Sequence, residues 1–497
     1  MKNSPLYAAI DLGSNSFHML VVREVAGSIR VVAKVKRKVR LAEGLSSSNE
    51  ISGAAMERGW NCLRLFAEQL KDIPSENVRI VATATLRLAN NSAQFIARAS
   101  QILSQPIQII SGEDEARLIY QGVCHTSAHG DRNLVIDIGG ASTELIIGEQ
   151  QQILQLNSLN LGCVTWLNRY FSDGMLTEQA FDDACNGAQQ VISEIASSYR
   201  RCGWQECCGA SGTVQAIQEA LQAQGETEQI SLDKLLKLKQ QVLACGSLDA
   251  LQIQGLAAER LKVFPSGLAI LIALFEVLGI ESMHLAGGAL REGLIHSMLG
   301  GEQPKPVHER TIDSLFERYQ LDREQGERVA RTALKGLSSL KEDWGFDEDV
   351  IRLLASACKL HEIGLCIEYK KAPQHAAYLI ENLSLPGFTT PQRQLISGLL
   401  FNQRDSISLD RLQLQRSVPQ NIALRMLRLL RLSIILCMRR ANGSIPDFEL
   451  MAEGEVLTLT LPAGWMEEHY LRASELLDEI RHQQQAGWEL RVVERSE

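Results

Sequence analysis

Tyr7-Ala8-Ala9-Ile10-Asp11-Leu12-Gly13-Ser14-Asn15-Ser16 returns further along the chain as Leu134-Val135-Ile136-Asp137-Ile138-Gly139-Gly140-Ala141-Ser142-Thr143. The two aspartates stand 126 residues apart (137 less 11), about one domain's length. Each copy is an apolar run, then Asp, then a turn of Gly and Ser, then residues alternating as in a second strand. Repetition at this spacing points to two similar lobes facing each other. Both lobes then aim an Asp and a set of turn N–H groups at one cleft. Such turns bind anions and suit phosphate.

Outward from the first copy, the pattern predicts strands over 17–25 and 29–41, a helix over 56–70 and a buried strand over 78–82. A helix over 93–103 and a strand over 107–110 follow. Ser111 then caps an acidic helix running to residue 123, with Glu113 and Asp114 in its first turn. Strands and helices alternate, as in α/β folds. After the second copy, helices are predicted over 178–200, 232–245, 256–260 and 267–278. Two more strand-to-glycine units interrupt them, Gly209-Ala210-Ser211-Gly212-Thr213 and Gly287-Gly288-Ala289-Leu290-Arg291-Glu292-Gly293. Glycine at such turns permits positive φ and close approach of a ligand. A Gly/Pro linker is expected over 300–307. A helical region follows over 308–440, with stops at Gly345, Pro386-Gly387 and Pro419, and then a small β-α-β tail. The expected domains are lobe I over 1–125, lobe II over 126–305, a helical domain over 306–443 and a small α+β domain over 444–497.

The 497 residues are 45% apolar, enough for sizeable cores. Eleven scattered cysteines without a CxxC pair read as reduced thiols in the cytoplasm, and residues 1–14 lack the apolar run of a secretory signal. No segment is expected to span a membrane. A net charge of −9 argues against nucleic-acid coating, so a site for polyanions must concentrate its cations locally. Lys34, Lys36, Arg37, Lys38 and Arg40 are such a concentration, or equally a solvated strand edge.

An Asp at the end of a buried strand is costly unless something compensates it. Asp11 and Asp137 fit Mg²⁺, held directly or through water; the plainer alternative is capping of the turn N–H groups. Arg87, leaving the strand after Thr83-Ala84-Thr85-Leu86, is placed to grip a phosphoryl oxygen and offset developing charge. Arg425, Arg428 and Arg431, at helical spacing among leucines, read as a solvated face. His18 is expected to bond locally, and Arg291 with Glu292 to serve the last turn or pair with each other.

Together, the segments around Asp11 and Asp137, the Gly209–Thr213 turn and Ala289-Leu290-Arg291-Glu292-Gly293 resemble the exopolyphosphatase and guanosine pentaphosphate phosphohydrolase family. The likeness runs over nearly the whole chain. Ala141, standing where the exopolyphosphatase branch has a third Gly, is similar to the guanosine pentaphosphatase branch, as is Pro373-Gln374-His375-Ala376-Ala377-Tyr378. The resemblance implies an α/β fold of duplicated ribonuclease H-like (actin-like ATPase) lobes, an all-α HD-like domain and a small α+β domain. It implies hydrolysis of the terminal 5′-phosphate of guanosine pentaphosphate, with activity on inorganic polyphosphate, in a Mg²⁺-dependent homodimer. Glu115 is implied as the catalytic base, although the residues alone explain it equally as a first-turn acid. Arg87 would join it in catalysis. Phosphate contacts are implied at Gly13, Ser14, Asn15, Gly139, Gly140, Ala141, Ser142, Ser211 and Gly212, and metal-side carboxylates at Asp137, Glu144 and Asp11. His361-Glu362 has Glu where HD enzymes have Asp, implying a metal-free relic that supports dimerisation or docking. A primary exopolyphosphatase and a non-hydrolytic actin-like nucleotide switch are the alternatives.

Overall fold

The computed structural model describes residues 4–46, 48–127, 132–299, 305–340 and 344–496. The repeated phrase folds twice in the same way. In lobe I, β1 (Leu6–Leu12), β2 (Ser16–Val25), β3 (Ser28–Lys38), β4 (Val78–Ala82) and β5 (Gln108–Ile109) form a sheet ordered β3-β2-β1-β4-β5. In lobe II, β6 (Arg132–Ile138), β7 (Thr143–Glu149), β8 (Gln152–Leu159), β9 (Glu206–Gly209) and β10 (His284–Leu285) repeat that order. β1 runs antiparallel to β2 and parallel to β4, as β6 does to β7 and β9. The expected duplicated α/β lobes are therefore present.

Strand periodicity decides where the aspartates point. Ala8, Ile10 and Leu12 enter lobe I's core with α1 (Gly53–Leu70) and α3 (Ser92–Leu103). Leu134, Ile136 and Ile138 enter lobe II's core with α6 (Glu178–Cys202) and α9 (Phe264–Leu278). The alternate residues Ala9 and Val135 meet in a further core shared by both sheets, α4 (Gly112–Thr126) and α10 (Leu290–Leu299). Asp11 and Asp137 share the parity of Ala9 and Val135, so each lies near the end of a strand on the face turned to the other lobe. Helices α4 and α10 touch closely. A Cβ on Gly122 would lie 2.0 Å from the Ala289 carbonyl oxygen, and one on Gly293 1.9 Å from that of Leu118. The segment Leu261–Leu278, which ends in α9, is long and apolar enough to cross a membrane, with a mean hydropathy of 2.0; its α9 side chains are almost all buried in lobe II's core.

The chain divides into two compact units, one of residues 1–24 and 29–307, the other of 25–28 and 308–497. The second holds helices Val307–Tyr319 (apart from Val307), Arg323–Ser338, Glu348–Leu360, Ala372–Asn382, Thr390–Phe401 and Gln420–Leu436 around one core. It ends in β11 (Glu449–Glu453), β12 (Val456–Leu461) and β13 (Glu489–Glu494), ordered β11-β12-β13. The helix Tyr470–Gln485 connects the parallel pair β12 and β13.

Several expectations are corrected. Residues 256–260 are not helical: Gly255 turns at φ +81°, and the Arg260 N–H closes a turn on the Ala257 carbonyl at 2.8 Å. The tail carries an additional first strand, β11. Pro419 starts a helix as its N-cap rather than only ending one. Of the expected linker, 300–304 lie outside the described residues. The arginine series is not a solvated face. Arg431 and Glu479 are each 2% exposed and joined at 2.6 Å, and Arg428 bonds Gln483 Oε1 at 2.8 Å and the Glu489 carbonyl at 2.7 Å. The half-buried Arg425 donates to the Trp344 carbonyl at 3.2 Å. Glu362 receives two hydrogen bonds from Arg440, at 2.6 and 2.9 Å, while His361 Nδ1 lies 2.8 Å from the Cys358 carbonyl.

Candidate active site

A cleft of about 310 Å³ within the first unit is lined by all four glycine turns. The turn after β1 is tied down by its own carbonyls: Asn15 O accepts from the Val39 and Arg40 N–H groups at 3.1 and 2.8 Å, and Ser14 O from Ala42 at 3.0 Å. The turn after β6 closes through Gly139 N–H to Ser142 O at 2.9 Å, and the Gly139 and Gly140 carbonyls accept from Cys163 and Val164. The Gly139 N–H thus closes its own turn, and the amides of Gly13, Ser14, Asn15, Gly140, Ala141 and Ser142 are the ones left for the cleft. The two turns abut, since a Cβ on Gly140 would lie 2.9 Å from Ser14 Cβ.

Positive φ is not the reason for these glycines. Gly13, Gly139, Gly140, Gly209, Gly212, Gly287 and Gly288 all lie outside the left-handed region. Space is restricted at several of them: a Cβ on Gly287 would lie 2.7 Å from the Thr126 carbonyl oxygen, and one on Gly209 2.5 Å from Val214 Cγ1. Ser211 caps α7 (Gly212–Ala223) by accepting from the Val214 N–H at 3.2 Å. The Ser142 hydroxyl bonds Glu144, so Ala141 and Ser142 offer the cleft mainly their backbone.

Four carboxylates gather here. Asp137 is the cross-strand partner of Glu144, and Glu144 that of Ser158, whose hydroxyl donates to Glu144 Oε1 at 2.7 Å. Asp11 Oδ1 is enclosed and finds no hydrogen-bond partner among the described residues. Burial pushes the Asp11 carboxyl up to about 6, with Arg291 opposing. Burial, then the charges of Glu144 and Asp11, push Asp137 up to about 8. Glu144 rises to about 7 through burial, restrained by its bonds from Ser158 and Ser142. Glu115, on the first turn of α4 and 8% exposed, is held well above the usual carboxylate range by burial, Glu144 and Asp11. Arg87 opposes this, its Nη1 lying 3.3 Å from Glu115 Oε2 and 2.8 Å from the Ile110 carbonyl. The structure therefore places Arg87 against Glu115, at the start of α4.

Cations line the same cleft: Lys34 and Lys36 from β3, with Arg260 and Arg291. Of the basic stretch, Lys34 and Lys36 thus reach the cleft, although Lys36 also pairs with Glu259 at 3.1 Å. Arg291 and Glu292 do not pair with each other. Glu292 accepts from the Ala289 N–H at 2.9 Å, and Arg291 Nη1 lies 3.3 Å from His18 Nδ1. His18, opposite Asp11 on β2, is driven down to about 2 by burial and four surrounding cations, so it stays neutral. Its partner is distant in sequence, not local.

Sequence reasoning missed Arg260, a lone cation in a segment expected to be helical, and Ser158, the cross-strand partner of Glu144. Among the described residues no group of three His, Cys, Asp or Glu forms a ready-made metal cage. A Mg²⁺ ion needs less than that, one or two carboxylates with water and substrate oxygens. Asp11, with its orphaned oxygen, and Asp137 offer such a donor set. Their proximity and raised carboxyls are relieved by a divalent cation.

Comparison with known proteins finds the Ppx/GppA phosphatase family over residues 20–302 and Ppx/GppA phosphatase, domain III, over 307–480. The guanosine-5′-triphosphate,3′-diphosphate pyrophosphatases of Aeromonas hydrophila subsp. hydrophila and Aeromonas salmonicida are each 59% identical, covering 99% of this chain and 100% of their own. Among solved structures, an exopolyphosphatase from Cytophaga hutchinsonii matches 59% of this chain and 97% of its own, with 24% identity and a TM-score of 0.54. The Aquifex aeolicus PPX-GPPA enzyme matches 59% and 99%, with 19% identity and a TM-score of 0.51. These two likenesses concern the fold.

Proposed function

The chain belongs to the Ppx/GppA phosphatase family, and from that premise we propose that it hydrolyses the terminal 5′-phosphate of guanosine pentaphosphate, giving guanosine tetraphosphate and phosphate. The observation that carries this reading is the pair of abutting glycine turns beside a buried, proton-hungry Glu115. The amides of Gly13, Ser14, Asn15, Gly140, Ala141 and Ser142, with those of Ser211 and Gly212, receive the terminal phosphoryl oxygens, while the Gly139 amide shapes its turn by bonding the Ser142 carbonyl. Glu115 accepts a proton from water as the water oxygen bonds to phosphorus and the anhydride P–O bond breaks. Its carboxylate is made more basic than an ordinary one by burial and by the neighbouring acids, which suits it to take that proton. Arg87 fixes Glu115 and has further N–H groups for the phosphoryl as charge develops. Asp11 and Asp137, with Glu144 in support, would hold Mg²⁺, which would supply charge neutralisation.

Inorganic polyphosphate ends in the same anhydride, and Lys34, Lys36, Arg260 and Arg291 give a long polyanion countercharge along the cleft wall. We propose it as a second substrate. The domain division at 125, 305 and 443 is retained, as are a cytoplasmic setting, consistent with eleven free thiols, and a homodimer. Initial rates of phosphate release with Mg²⁺ on guanosine pentaphosphate, polyphosphate and ATP, measured side by side, test the reading. The highest kcat/KM is expected on guanosine pentaphosphate, and turnover of ATP alone would overturn it.

A further inference from the structure

Ser158 belongs to none of the glycine turns, yet it bonds Glu144 and packs against the start of the helix that carries Glu115. Its hydroxyl donates to Glu144 Oε1 at 2.7 Å. Its side chain also sits where Gly112 leaves room, since a Cβ on Gly112 would lie 2.5 Å from both Ser158 Cβ and Ser158 Oγ. Gly112 is the first residue of α4, and Glu115 follows three residues later on the same helical face. Arg87 closes the circuit: its Nη2 lies 3.7 Å from that Gly112 Cβ position, and its Nη1 reaches Glu115.

Ser158 owes its place to an irregularity. The hairpin opens with Glu149 opposite Gln152 and Gly148 opposite Ile153, a register that carried onward would put Asn157 opposite Glu144. The register shifts by one between Ile147 and Gly148, and Ser158 faces Glu144 instead. A one-residue slip exchanges the faces of a strand, so the bulge selects which side chain meets α4.

We infer that Ser158 is a positioning residue, holding Glu144 through its hydroxyl and setting the separation of Glu144 from Glu115 through its seat on Gly112. The inference rests on the reading of Glu115 as the base. Ser158→Ala keeps the seat and removes the hydroxyl. It lowers kcat about 10–100-fold, the effect of losing one charge-assisted hydrogen bond, with KM nearly unchanged. Gly112→Ala keeps the hydroxyl and drives a methyl between the elements, lowering kcat at least as much and also lowering Tm. In Gly112→Ala with Ser158→Gly the room is restored, so Tm recovers while kcat stays at the Ser158→Ala level.

The experiment measures kcat, KM and Tm for these variants, together with calorimetry of β,γ-imido guanosine triphosphate binding in Mg²⁺. Analogue affinity within about threefold of the unaltered chain for Ser158→Ala, with the kcat loss, supports positioning. Full kcat in Ser158→Ala, or an equal loss in analogue binding and turnover, overturns it. Glu115→Gln run in parallel separates the layers. If that variant is inactive while Ser158→Ala is fully active, only the role of Ser158 falls. If Glu115→Gln turns over normally, the reading of the base falls, and this inference with it.

Discussion

Glu479 in the helical unit and Asp137 in the cleft are both acids removed from water, in opposite company. Glu479 receives Arg431 Nε on both oxygens at 2.9 Å and Nη2 at 2.6 Å, and Gln483 adds a further bond at 2.8 Å. Asp137 sits opposite Glu144 and near Asp11, with Arg291 as its opposing charge, and its carboxyl is pushed up to about 8. A satisfied buried pair serves the fold, because removing one partner strands the other. Acids crowded together out of water, with raised carboxyls, are concentrated at sites that serve a ligand or a reaction. The arrangement of charge thus separates a structural acid from a functional one, though both come from ordinary helices and strands.

Asp137→Asn tests the contrast hardest. Phosphate release is expected to fall roughly 10³-fold, as for loss of a charged group at a phosphoryl site. The substrate-free protein should melt roughly 2–4 °C higher near neutral pH, because the cost of holding that acid out of water among other acids has gone. A lower melting temperature would show Asp137 to be a satisfied structural acid like Glu479. Arg431→Ala should do the reverse, costing the helical unit about 3–5 kcal/mol in urea unfolding by stranding Glu479. Replacing both partners together, Arg431→Met with Glu479→Leu, should recover most of that loss, and no recovery would contradict the account.

Acidity sharpens the comparison more gently. The folded carboxyls of Asp11, Glu144 and Asp137 lie at about 6, 7 and 8, above their unfolded values, so the folded chain binds more protons in between. Their contribution is fully present below about pH 4 and is lost as pH rises through 6 to 8. Differential scanning calorimetry without Mg²⁺ should show these carboxyls lowering Tm across that window. The decline should be shallower in Asp137→Asn, and equal slopes in the two proteins would contradict it. Arg425→Ala removes the bond to the Trp344 carbonyl and the guanidinium's contact with that residue's ring, 5.7 Å from its centroid, and should cost about 1 kcal/mol, the smallest effect here.

The duplicated topology was legible because its signal is local. A strand, an Asp and a glycine turn recur, and strand parity turns Asp11 and Asp137 to facing sides. Glu115 stood at the start of a well-capped helix, but a first-turn acid has a plain explanation there, and only its neighbours in space distinguish it. Arg428 and Arg431 misled because leucine and arginine at helical spacing describe a snorkelling face equally well. Their partners Gln483 and Glu479 lie some fifty residues away, on another helix. Ser158 was hidden by a bulge that no count of residues from the turn reveals. The cleft glycines were foreseen, but the positive φ expected of them is not found, and at several of them neighbouring atoms restrict the room for a Cβ.

The most direct measurement is phosphate release from guanosine pentaphosphate by Glu115→Gln, paired with its affinity for the same nucleotide. The account predicts turnover down by about 10³-fold with affinity changed no more than a few-fold. Normal turnover in that variant would contradict it.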